Sequence, residues 1–203
     1  MGDRRAERHQ ATVDEIVEAA WRLARTSGLA AFSLRELAGE VGMRPQSLYS
    51  YFESKHAIYD AMYAQGCRQF VEGQASWTHS GDAVTDLQAI GRFFVDFCTQ
   101  DPVRYQLMFQ RTIPGFEPSE GSFAISVESL DSLQAHLVSL GIDDPAALDL
   151  FTALTTGIAD QQISNDPGGD RWVRLIDDAV EMFWNHVTSR AAATTQPAEE
   201  TRE

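Results

Sequence analysis

The chain has 203 residues, enough for one or two domains around a sizeable buried core. Hydrophobic residues make up 43% and charged residues 23%, a balance that argues against wholesale disorder. No apolar run reaches the roughly 18 residues of a membrane span. The polar stretch Met1–Gln10 is unlike a secretory leader, so a cytoplasmic location without membrane partners is expected. Cys67 and Cys98 lack any CxxC spacing and read as buried or half-buried thiols of a reducing compartment. Lys and Arg number 16 against 30 Asp and Glu, a net charge of −14 that would normally disfavour nucleic acid. The distribution alters that inference. Residues 1–55 hold eight basic and eight acidic side chains, so the whole negative surplus lies beyond residue 55. Such asymmetry suggests two parts with different partners.

The periodicity is helical nearly everywhere and predicts an all-α fold of about nine helices. Residues 1–9 read as a flexible basic arm carrying Arg4, Arg5 and Arg8. A first helix is expected from Thr12, capped by Thr12 with Glu15, buried through Ile16, Ala20 and Ala24, and ended by Gly28. Ser33 and Glu36 form a second capping box, ahead of an apolar stripe at Leu34, Leu37, Ala38 and Val41 that Gly42 stops. Pro45 suits the first turn of a third helix reaching about Tyr51, and a long fourth runs from Lys55 to about Trp77. Leu87–Cys98 marks a fifth, Asp101-Pro102 opens a sixth, and Leu130, Leu133, Leu137 and Leu140 stripe a seventh. Asp144-Pro145 opens an eighth, and Trp172–Val187 makes an amphipathic ninth. Residues 191–203 read as a disordered tail.

Residues 33–55, SLRELAGEVGMRPQSLYSYFESK, combine a short helix, a glycine turn and a second short helix, which is a helix-turn-helix. Ala38 allows the two helices to cross closely, and Leu48 pins the angle of the second. Arg44, Gln46, Ser47 and Tyr49 are then left for a DNA groove, with Ser50 and Tyr51 extending the surface. Arginine pairs with guanine and glutamine with adenine in the major groove, which makes Arg44 and Gln46 the base-reading candidates.

This segment resembles the tetracycline-repressor (TetR) family of bacterial regulators. The features that carry the likeness are Ser33, Leu37-Ala38, Val41-Gly42, Ser47-Leu48-Tyr49, Tyr51-Phe52 and Lys55. The runs at 101–109 and 162–172 are similar to the regulatory part of the same family. The resemblance implies a DNA-binding domain at 10–55, an effector-binding and dimerisation domain at 56–190, and a homodimer acting on double-stranded DNA. It places Arg35, Arg44, Pro45 and Gln46 toward the groove, and Ser33, Tyr49, Tyr51 and Lys55 toward phosphates.

Aromatic residues are dense in the later helices. Phe93, Phe97, Tyr105, Met108, Phe109, Phe123 and Phe151 are candidates to line a pocket for a small apolar or aromatic effector. Tyr105, Gln106, His136 and Gln161 are candidate polar groups for orienting it. Leu150, Leu154, Trp172, Leu175, Ile176, Ala179 and Phe183 on the eighth and ninth helices are expected to build an isologous dimer interface. The expected function is a ligand-responsive repressor released from a palindromic operator by its effector. A helical enzyme and a nonspecific architectural DNA-binding protein are the rivals. The five histidines show no HExxH spacing, and no GxSxG, P-loop or dinucleotide fingerprint occurs. No catalytic residue, metal ligand or cofactor is therefore expected.

Overall fold

The computed structural model describes residues 3–77 and 79–195, with side chains described through Arg190. Among these residues every regular element is helical. They form α1 (Asp3–Ser27), α2 (Leu34–Glu40), α3 (Pro45–Leu48), α4 (Lys55–Ala75), α5 (Ala83–Gln100), α6 (Pro102–Phe109), α7 (Glu120–Ser139), α8 (Pro145–Asn165) and α9 (Ile176–Thr195). A single 3₁₀ turn, Val173–Leu175, precedes α9.

Several sequence signals act as expected. Gly28 takes φ +91° after α1, and its N–H reaches Ala24 O at 2.8 Å. Asp101 and Asp144 each cap a helix whose first residue is proline. Their carboxylates accept from Arg104 N at 3.1 Å and Ala146 N at 3.0 Å.

Five expectations differ from the structure. The flexible arm is helical from Asp3, because residues 3–12 hold neither glycine nor proline and are rich in helix-forming Arg, Ala and Glu. The ring of His9 also stacks on Tyr51 at 4.9 Å, which anchors that first stretch of helix. Thr12 is consequently no cap; its hydroxyl donates to Arg8 O within the helix. Helix α3 is four residues long, and Tyr49–Tyr51 continue as turn. Helix α7 starts ten residues before Leu130, at Glu120. Asp60 fixes that start, accepting from Ser119 N at 2.7 Å and from the hydroxyls of Ser119 and Ser122 at 2.9 Å each. The expected tail is helical as far as Thr195, and its remainder, residues 196–203, lies outside the described residues.

The chain forms two compact units: the chain up to Val71 with Asp101–Val127, and Glu72–Gln100 with the chain from Glu128 onward. This division differs from the boundary expected near residue 55, and side-chain chemistry accounts for it. Arg25 on α1 donates to Asp101 Oδ2 at 2.6 and 3.0 Å. Leu107 and Ile113 join the same core as Ile16, Leu37, Leu48, Ile58 and Met62. Helix α6 and the first part of α7 therefore pack with the N-terminal helices. Cys67 lies in this core, and burial pushes its thiol up to about 11.

In the second unit, Leu87 and Ile90 of α5, Leu137 of α7, Phe151 of α8 and Val180 and Phe183 of α9 form one core. The Phe151 and Phe183 rings meet edge to face at 5.2 Å. Buried Gln162 closes the loop after α8. Its amide donates to Asp166 O, and its Oε1 accepts from Trp172 N at 2.8 Å and Val173 N at 3.2 Å. Asp166 Oδ2 accepts from Arg171 N at 2.9 Å, and these bonds hold the Asp166 carboxyl below its usual range. Gln162→Ala leaves two backbone N–H groups without their acceptor. A loss of about 1–3 kcal/mol is expected, read as a lower midpoint in urea unfolding at unchanged slope.

Candidate nucleic-acid interface

The candidate reading surface is built on a chain segment that must turn twice within 20 residues. Ser33, in extended conformation, accepts from Glu36 N at 3.2 Å, while Glu36 Oε2 accepts from Ser33 N at 2.7 Å. The predicted capping box is thus complete, and these bonds lower the Glu36 carboxyl pKa. At the other end of α2, Gly42 adopts φ +68°, a backbone state that other residues rarely enter. The next residue, Met43, donates its N–H to Ala38 O at 2.9 Å, which closes the turn.

Arg44 stands in extended conformation as the N-cap of α3, with Pro45 at the first helical position. Its side chain makes no cap hydrogen bond, so the guanidinium is not drawn back onto the helix end. Leu48 points inward and is 1% exposed. Arg35, Arg44, Pro45, Gln46, Ser47 and Tyr49 are all exposed, Tyr49 to 56%. No ion pair engages Arg35 or Arg44 among the described residues. Ser50 donates to Ser47 O at 2.6 Å, which tightens the turn that follows. The structure therefore brings the expected groove-facing residues onto one exposed stretch of the chain.

Two of the expected phosphate contacts are placed otherwise. Tyr51 is half-buried under His9. Lys55 turns its ammonium inward, donating to Ala30 O at 2.8 Å and lying 4.3 Å above the Phe32 ring. Burial lowers its pKa, against the opposing pull of Glu36. The side chain staples the α1–α2 connection to the start of α4. Nearby, Tyr59 donates to Leu29 O at 2.5 Å, and burial pushes its phenol up to about 12. The ring of His9 is the neighbour that sequence spacing did not single out. Its distance in sequence from Tyr51 hides the contact, and only the helical continuation of α1 creates it.

The aromatic candidates separate. Met108, Phe109 and Phe123 line a cavity of about 370 Å³ in the first unit, together with Tyr63 and Phe116. Arg111 and Glu117 also border it, so its wall is mixed rather than wholly apolar. Tyr105 is buried beside Phe109, with ring centroids 5.9 Å apart. Phe93 and Phe97 lie 6.0 Å apart on α5, and Phe151 belongs to the second unit's core.

The dimer candidates also separate. Ile176 and Phe183 are 4% and 1% exposed, because the ninth helix turns them into its own unit. Their assignment to an interface is corrected on that ground. Leu175 is exposed, while Leu150, Leu154, Trp172 and Ala179 are half-buried. Met182, absent from the sequence expectation, is 72% exposed and lies one heptad beyond Leu175. On α8, Gly157 has open space where a side chain would stand.

These features define a helix-turn-helix protein with a further all-helical unit. Residues 16–62 match the model of bacterial regulatory proteins of the tetR family. The HTH-type transcriptional repressor DrrR1 of Streptomyces coeruleorubidus is 26% identical over 159 residues, covering 75% of this chain. The chain spans about half, 54%, of that curated relative. Regulatory protein SCO4313 superposes with a TM-score of 0.71 at 20% identity, over 89% of this chain and 98% of that one. FadR from Bacillus subtilis, solved with stearoyl-CoA, gives 0.65 at 17% identity, over 83% and 95%. The match to the tetR family of bacterial regulatory proteins thus spans the helix-turn-helix segment, and the solved structures share the all-helical fold.

Lys55→Met tests the inward placement of the ammonium. Losing the bond to Ala30 O and the contact with Phe32 should cost about 1–2 kcal/mol of unfolding free energy. The salt dependence of DNA binding should keep its slope; a slope flatter by about one unit would return Lys55 to a phosphate contact.

Proposed function

We propose that the chain is a homodimeric transcriptional repressor that binds a palindromic operator and is released by a small apolar or aromatic effector. The observation that carries this reading is the exposed row from Arg44 to Tyr49, held by buried Leu48 on an N-terminal segment of zero net charge. The remaining chain carries the whole surplus of 14 negative charges and would repel duplex DNA in any other orientation. In this reading Arg44 and Gln46 contact base edges, with Arg35, Pro45 and Ser47 beside them. Ser33 and Tyr49 approach the phosphates.

Dimerisation falls to the outward faces of α8 and α9, through Leu150, Leu154, Trp172, Leu175, Ala179 and Met182. A small-residue approach at Gly157 suits two helices from each protomer. Two reading heads are then required about 34–36 Å apart, or a multiple of that, to enter successive major grooves. The cavity bordered by Met108, Phe109 and Phe123 is the proposed effector site. Stearoyl-CoA, present in the Bacillus subtilis FadR structure, is a ligand with a long apolar part. An effector releases DNA only by its differential affinity for the two conformations, so operator and effector must weaken each other reciprocally.

Selection of bound fragments from genomic DNA should yield an inverted repeat. Arg44→Ala and Gln46→Ala should each relax the preference at one position per half-site, at a cost of about 1–3 kcal/mol. An unchanged preference in both variants would remove them from base readout. Leu175→Glu with Met182→Glu should give a folded monomer by sedimentation, with operator affinity reduced at least tenfold. A dimer surviving this double change would place the interface elsewhere.

A further inference from the structure

The second unit gathers two imidazoles and a carboxylate from three separate places in the chain. His79 lies in the segment between α4 and α5, Asp86 lies in the first turn of α5, and His136 lies in the last turn of α7. One donor atom from each lies within 4.8 Å of the others. His79 Nδ1 stands 3.5 Å from Asp86 Oδ2, and the two imidazole rings face each other at 4.8 Å. We propose that His79, Asp86 and His136 bind a divalent first-row transition metal, with zinc the best fitted.

Three further observations point the same way. The first is His136 Nε2, a buried nitrogen without a hydrogen-bond partner. A buried polar atom left unpaired costs free energy, and a metal would satisfy it. The second is the support of the carboxylate. Asp86 Oδ1 accepts from both Ser80 N and Ser80 Oγ at 2.7 Å, which orients the side chain and leaves Oδ2 toward the histidines. Metal-binding carboxylates are commonly held in this way by a second layer of donors. The third is the adjoining cavity of about 400 Å³, bordered by Gln74, Trp77, His79, Ser132, His136 and Ser139. It offers room for a water in a fourth coordination position.

Two imidazoles and one carboxylate suit zinc and its borderline neighbours far better than magnesium or calcium, which prefer all-oxygen sets. Zinc bonds of about 2.0–2.2 Å require the three donors to draw closer than they stand. His79 supplies that movement, because it is exposed and lies outside any helix. Metal binding would fasten the α4–α5 connection to α5 and α7.

The test uses the full chain without an affinity tag, stripped by chelator and titrated with Co²⁺ and then Zn²⁺. One equivalent of Co²⁺ should develop the visible absorption of a low-coordinate nitrogen and oxygen site, and Zn²⁺ should displace it. Zinc should also raise the thermal midpoint. His79→Ala changes only an exposed side chain, so its fold should survive; its affinity should fall at least tenfold. His136→Ala and Asp86→Asn should fall at least as far, while His186→Ala should bind as the parent does. Absence of a one-equivalent site in the parent, or equal affinity in His79→Ala and the parent, would overturn the assignment. Because the readout is metal binding rather than operator binding, its failure is distinct from failure of the repressor reading.

Discussion

A four-residue helix cannot hold its own direction. Helix nucleation is unfavourable at that length, so α3 depends on what fixes it from outside. Leu48 supplies the inward anchor, in one core with Leu37, Ala38, Phe52 and Ile58. Gly42 supplies the backbone reversal, and Pro45 removes a donor that would otherwise be left unpaired at the helix start. With one inward side chain and two backbone constraints in place, every neighbouring position from Arg44 to Tyr49 except Leu48 is presented outward. The candidate reading surface follows from this arrangement, and the core of the first unit supports it. Asp101 contributes by capping α6 while receiving Arg25, so one carboxylate both starts a helix and ties it to α1.

Much of this was legible in the residues because the signals are local. Ser33 with Glu36, Gly28, Gly42 and the Asp-Pro pairs at 101–102 and 144–145 are read within four positions of themselves, and each performs its expected task. What was illegible depends on distant partners. The stretch before Thr12 is helical in part because His9 meets Tyr51, and no window of sequence displays that pair. Lys55 has the look of an exposed cation at a helix start, yet Ala30 O and Phe32 draw it inward. The start of α7 lies earlier than its leucine stripe suggests, because Asp60 on α4 holds Ser119.

The same limit explains the later helices. An amphipathic stripe shows that a helix buries one side, but not whether its own unit or a second copy covers it. Ile176 and Phe183 fall on the covered side, whereas Leu175 and Met182 fall outside it. Histidine spacing likewise reports only sites built within one element. His79, Asp86 and His136 come from three elements, so their meeting is a product of the fold.

Cys67 has a consequence for how such a protein can be controlled. Peroxides and alkylating agents attack the thiolate, and a thiol raised to about 11 and enclosed by the first unit's core furnishes almost none near neutrality. The reading unit should therefore pass through oxidative stress chemically unaltered at this sulfur.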